Sequence, residues 1–152
     1  MDVLTHIKEE HDEFRSLIKE IEAATGDKKK SMFQDLYAKL YGHHEAEETV
    51  IFPKAKEAVK GEEEELVLEM YEEHSLARYQ FSVLERTSVD NETWDAKFSV
   101  LKEVVEHHME EEENEFLPLA RKLFPSEVLD ELYDEFEKVM EEKKTEKEKD
   151  LA

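Results

Sequence analysis

The stretch His43-His44-Glu45-Ala46-Glu47-Glu48-Thr49-Val50-Ile51-Phe52-Pro53 returns as His108-Met109-Glu110-Glu111-Glu112-Glu113-Asn114-Glu115-Phe116-Leu117-Pro118. One His, three Glu and the Pro keep their places in both copies. A second echo precedes each: Glu9-Glu10-His11 with Arg15, then Glu72-Glu73-His74 with Arg78. The order His, then His-x-x-x-Glu, therefore occurs twice at nearly constant spacing. That regularity marks two related halves, because merely acidic sequence would not keep it.

Working outward from these copies, apolar residues recur at helical spacing. A first helix is predicted over Asp2–Ala24, with Val3, Leu4, Ile7, His11, Phe14, Ile18 and Ile21 on one face and Gly26 closing it. A second starts near Ser31, carries Phe33, Leu36, Tyr37, Leu40, His43, Glu47 and Ile51 inward, and is bent or ended by Pro53. After Gly61, a third buries Leu66, Met70, His74, Ala77, Phe81 and Leu84; after the break at Ser88–Asn91, a fourth aligns Trp94, Phe98, Leu101, Val105, His108, Glu112 and Phe116 before Pro118. Four long helices with short connections predict an all-α, up-down-up-down four-helix bundle over residues 1–124. Pro125-Ser126 opens an additional C-terminal helix, residues 125–140, with Ser126 as its N-cap and Val128, Leu129, Leu132, Phe136 and Val139 facing the bundle. Residues 141–152 are a charged run without an apolar face, expected to be disordered.

Composition bounds the rest. The chain has 152 residues, which suits one domain, and only three Gly and three Pro, which leaves little turn chemistry for a sheet. A formal net charge of −21 repels nucleic acid and anionic membranes, so neither is an expected partner. With no Cys there are no thiolate ligands, and any metal must be held by oxygen and nitrogen. Met1-Asp2-Val3-Leu4-Thr5-His6 has no basic leader, and no apolar run approaches a membrane span, which gives the expectation of a soluble cytoplasmic protein.

Residues four apart share a helix face. His43/Glu47 and His108/Glu112 thus present an imidazole and a carboxylate together to the interior, and His11 and His74 add one imidazole each from the other two helices. Two metal ions could share that set, bridged by Glu47 and Glu112, and they would relieve the cost of burying two carboxylates among Leu, Phe and Ile. The competing reading is a solvated acidic bundle, since one His-x-x-x-Glu carries little in a Glu-rich chain. Four apolar faces each bearing a His, in duplicated order, weigh against it. On the second helix the register His44/Glu48 also fits the apolar face; the repeat favours His43/Glu47 and leaves His44 as an additional ligand or an outer partner. Glu10, Glu73, Glu48 and Glu113 are placed either to fix imidazole tautomers or simply as solvated charge, and His6 and His107 are read as surface residues.

At these residues the sequence resembles the hemerythrin-like family, the HHE cation-binding domain, over roughly Val3 to Leu123. The matching pattern is His11, His43-x-x-x-Glu47 with Phe52-Pro53, His74, and His108-x-x-x-Glu112 with Leu117-Pro118. The resemblance implies a non-heme di-iron centre open to dioxygen or another small oxidant, with His11 and His43 on one iron, His74 and His108 on the other, and Glu47 and Glu112 bridging. Other divalent metals could occupy the same set. Arg78 departs from the family pattern, which has a further His there, and a guanidinium cannot ligate iron. That departure speaks against reversible oxygen carriage and toward oxygen, iron or redox sensing, storage or scavenging, with Arg78 stabilising an anion or pairing with a bridging Glu, or with a Glu of its own helix. A binding protein is favoured over a classical enzyme. The alternatives are a ferritin-like di-metal oxidase or peroxidase, and a metal-dependent regulatory module that displays the C-terminal helix to an unidentified protein partner. Ferritin-type sites use Glu-x-x-His, the reverse order, which lowers the first of these.

Overall fold

The computed structural model describes residues 1–152 and contains helices only. They are α1 (Val3–Ala23), α2 (Gly26–Ala46), α3 (Phe52–Ala58), α4 (Glu62–Glu85), α5 (Trp94–Glu111), α6 (Leu117–Leu123) and α7 (Ser126–Leu151). Single π-helical turns, Glu47–Ile51 and Glu112–Phe116, join α2 to α3 and α5 to α6, so these pairs run on as two long rods. With α1 and α4 they make the up-down-up-down bundle, and α7 lies against α2 and α1. No helix is long and apolar enough to cross a membrane.

The helix boundaries have local causes. Asp2 caps α1, its Oδ1 accepting from the backbone N–H groups of Leu4 and Thr5 at 2.7 and 3.1 Å. Gly61, at φ 65°, supplies the left-handed turn into α4, whose first turn is four glutamates aligned with the helix dipole. Helix α2 begins at Gly26, earlier than expected, because Lys29 anchors that first turn: its Nζ lies over the Trp94 ring, 4.9 Å from the centroid, and donates to Asp95 at 2.7 Å.

Neither Pro53 nor Pro118 ends its rod. A proline lacks an N–H and crowds the carbonyl four residues back, and the π-turn before it absorbs both demands. The bonds shift to five-residue spacing there, with Phe52 N–H donating to Glu47 O and Leu117 N–H to Glu112 O.

The tail departs from expectation. Helix α7 runs through to Leu151, with Ser126 as its first helical residue and no side-chain capping bond. Residues beyond Met140 are held by α2: Lys147 sits over the rings of Tyr37 and Tyr41, and Gln34 Nε2 donates to Leu151 O at 3.2 Å. Gly42 allows the approach, since a Cβ there would meet Met140 O at 2.6 Å. The charged run has few apolar side chains of its own; what orders it is the aromatic face of another helix.

The core falls into two apolar blocks. One gathers Leu4, Ile7, Phe52, Met70, Phe116 and Phe136; the other gathers Phe14, Ile18, Phe33, Phe81, Trp94 and Leu101. Between them lies a single layer of buried His and Glu.

Candidate metal centre

His11 comes from α1, His43 and His44 from α2, His74 from α4 and His108 from α5, while Glu47 and Glu112 are the first residues of the two π-turns. None of these seven is more than 4% exposed. Their potential ligand atoms fall into two groups, His44/Glu47/His74/His108 and His11/His43/Glu112, each within 4.8 Å. The carboxylates reach across both groups. Glu47 Oε1 lies 3.2 Å from His43 Nε2 and 3.3 Å from His74 Nε2, and Glu112 Oε1 lies 3.0 Å from His11 Nε2 and 3.7 Å from His108 Nε2.

Four outer carboxylates set the imidazoles. His11 Nδ1 pairs with Glu113, His43 Nδ1 with Glu10, His74 Nδ1 with Glu48 and His108 Nδ1 with Glu73, all at 2.7 Å. A carboxylate accepts, so each Nδ1 carries the proton and each Nε2 turns a bare lone pair inward. These are the acids that adjoin the site residues in sequence: Glu10 and Glu73 precede His11 and His74, and Glu48 and Glu113 follow Glu47 and Glu112. Each outer acid serves an imidazole on another helix.

The inner face of this layer is electrostatically incomplete. Both oxygens of Glu47, both of Glu112 and Nε2 of His43 are buried without a hydrogen-bond partner. His74 Nε2 faces His108 Nε2 at 3.0 Å, lone pair toward lone pair when both Nδ1 atoms hold their protons. Burial, and then the negative charge of Glu112, pushes the Glu47 carboxyl well above the usual range. Against its burial, Glu112 is held low by the adjoining Glu47 carboxyl and the His11 and His108 imidazoles. Burial also drives His44 and His74 well below the ordinary imidazole value, keeping both neutral. Neutral imidazoles and two buried carboxylates whose oxygens have no partner form a donor set that fits cations.

Two expectations about individual residues change. His43 and His44 are both buried and both face the layer, His44 stacked on His74 at a ring separation of 3.6 Å. The choice between registers dissolves because α2 is enclosed on two sides, by the bundle and by α7. Arg78 pairs neither with Glu47 or Glu112 nor with its own helix; it crosses to Glu48, with Glu45 Oε1 at 3.6 Å. It thereby supports the carboxylate that orients His74. Arg15 does the same in the other half, donating to Glu113 at 2.7 Å behind His11. The Arg echo was visible in sequence, but its partners lie in the opposite half and could not be read there.

Residues 2–120 match the family profile described as Hemerythrin HHE cation binding domain. The chain belongs to this family. An HHE cation-binding domain protein from Mycobacterium kansasii has a similar solved structure, with a TM-score of 0.84 at 23% identity, covering 96% of this chain and 89% of that one. At that identity the likeness speaks for the fold. No curated protein matches the chain. Membership of the HHE family implies metal binding, and the His/Glu layer supplies groups that could hold the ions.

Proposed function

We propose that this chain is a non-heme di-iron protein that binds or reacts with dioxygen or a related small oxidant, in oxygen, iron or redox sensing, storage or scavenging. The observation that carries this reading is the pair of orphaned buried carboxylates, Glu47 and Glu112, each spanning two groups of inward-facing imidazole nitrogens. One ion would be held by His44, His74 and His108, the other by His11 and His43, with Glu47 and Glu112 shared. Iron in such a set supplies one-electron chemistry and a place for a small oxidant to bind.

The protein's own part is positional. Glu113, Glu10, Glu48 and Glu73 fix the tautomers, and Arg15 and Arg78 neutralise two of those acids. Phe14, Phe52, Phe116 and Phe136 wall the layer from water, which favours ligand exchange with a small neutral molecule over bulk solvent. His44 would stand in for the imidazole that Arg78 replaces, giving one ion three nitrogen ligands and the other two. The poorer-coordinated ion, on His11 and His43, is where an oxidant would gain access.

Anaerobic loading with ferrous iron followed by exposure to air tests the proposal. Binding of about two irons per chain with a visible spectral change on oxygenation supports it. Chains that take up no stoichiometric iron would overturn it.

A further inference from the structure

Outside the central layer another group of ligand-type atoms converges. His6 and Glu10 are four apart on α1, the same His-x-x-x-Glu spacing as the central pairs, and Glu137 approaches from α7. His6 Nε2 lies 3.4 Å from Glu10 Oε2 and 2.5 Å from Glu137 Oε1. Yet His6 Nε2 and Glu137 Oε1 are both buried atoms without a hydrogen-bond partner, so the close approach is not along a ring N–H. Glu10, its side chain only 10% exposed, gives Oε1 to His43 and turns Oε2 into this group. The edges of Tyr133 and Phe136 pack against the His6 ring at 5.0 and 5.7 Å and wall the group on the α7 side.

We propose that His6, Glu10 and Glu137 form a third cation site, for a divalent transition-metal ion of the zinc or ferrous type. One imidazole and two carboxylates are a donor set of that class, and three protein ligands leave positions for water. Two carboxylates converging on one nitrogen repel each other, and a divalent ion removes that repulsion while using the atoms that have no partner. The site is less enclosed than the central layer, with His6 15% and Glu137 31% exposed, so it lies between solvent and the interior. Glu10 is common to both, which makes this an outer station one carboxylate away from His43. Because Glu137 belongs to α7, an ion here also fastens α7 to α1.

The second half of the chain provides a control. Glu73, His107 and Glu111 repeat the chemistry on the far side, with His107 Nε2 3.7 Å from Glu73 and 3.1 Å from Glu111, but His107 is 71% exposed. The walled group on the α7 side is the one that is built as a site.

Equilibrium dialysis against Zn²⁺ alone, with anomalous diffraction at the zinc edge, tests this on the full chain. Wild type is expected to bind about one equivalent more than Glu137→Gln, with a peak between His6 and Glu137, and His6→Gln is expected to weaken that equivalent at least roughly tenfold. In a Glu47→Gln/Glu112→Gln chain the outer equivalent stays while the central ions are lost, which separates failure of this site from failure of the central one. Zn²⁺ should also slow proteolysis of α7 in wild type and leave Glu137→Gln unprotected. Equal zinc uptake by wild type and Glu137→Gln, with no peak at His6, would overturn the proposal and reduce the group to an ion pair.

Discussion

The two halves of this chain, residues 3–58 and 62–123, are near copies in the centre and unlike at the edges. In each, a Glu-His pair with Arg four residues later meets a His-x-x-x-Glu-Glu element and a π-turn closed by proline. The first half adds His44 where the second has Met109, and it alone is covered by α7. The second half leaves Leu68, Leu76, Tyr79 and Val100 exposed on its outer side. What the halves share is what a symmetric carboxylate-bridged pair of ions would need; where they differ, the two ions of the proposed centre would be chemically distinct.

The largest effect is expected where the halves meet. Glu47→Ala should abolish stoichiometric iron binding, because that carboxylate contacts imidazoles of both groups. The metal-free protein should nonetheless melt higher, gaining on the order of 1–3 kcal/mol by losing a buried group with no partner. Metal counting and thermal unfolding in chelator, run side by side, check the two signs.

Swapping the distinguishing pair comes next. His44→Met makes the halves alike and should weaken one of the two ions roughly 10- to 100-fold, while Met109→His should fill the open side and slow reaction with oxidant. If His44→Met leaves both iron affinities unchanged, His44 is a packing residue and the asymmetry lies elsewhere.

Proton release sharpens the same comparison. Burial and the charge of Glu112 push the Glu47 carboxyl well up in the metal-free chain, so at a pH below its raised value metal binding must displace a proton. Affinity should fall about tenfold per pH unit on acidification for one displaced proton. An indicator-dye titration that detects no proton on zinc binding would contradict it. The sign for stability is opposite to that of an ordinary paired carboxylate: without metal, a raised carboxyl is most favourable below its unfolded value of 4.5 and costs stability as pH rises above it.

Smaller still are the two arginines. Arg15→Ala and Arg78→Ala should each lower iron affinity by roughly tenfold at most, acting through Glu113 and Glu48. Arg78→Ala should do more in kinetics, because Glu48 is already pushed up by burial against the pull of Arg78, whereas hydrogen bonds from His11 and Arg15 hold Glu113 down despite its burial. Oxidation rates of the two variants compared under one set of conditions decide this.

The bundle, the repeat and six of the seven central residues were legible because helical periodicity and duplicated spacing both act within one segment. The four outer carboxylates were legible as positions, since Glu10, Glu48, Glu73 and Glu113 adjoin the site residues, but not as pairings, which cross between helices. His44 was ambiguous because one face was assumed for α2, and the covering of its second face by α7 is a tertiary fact. The order of residues 141–151 was missed for the same reason: Tyr37, Tyr41 and Gly42, which hold that segment, sit about a hundred residues away. His6 likewise reads as a surface residue until Tyr133 and Phe136 close over it.

The π-turns have one more consequence, for what lengths of chain this fold tolerates. Each begins at a buried glutamate and is closed by a proline, so the rod before it and the rod after it are out of phase by the one residue the wider turn accommodates. Removing any single residue between Glu47 and Phe52 would turn α3 by about 100° about its axis and carry Phe52 away from Phe116 and His74. The Thr87–Thr93 connection can lengthen without disturbing any ligand. Insertions and deletions in natural or laboratory variants should therefore accumulate in the loops and be rejected from these two five-residue windows, even where the substitutions there look mild.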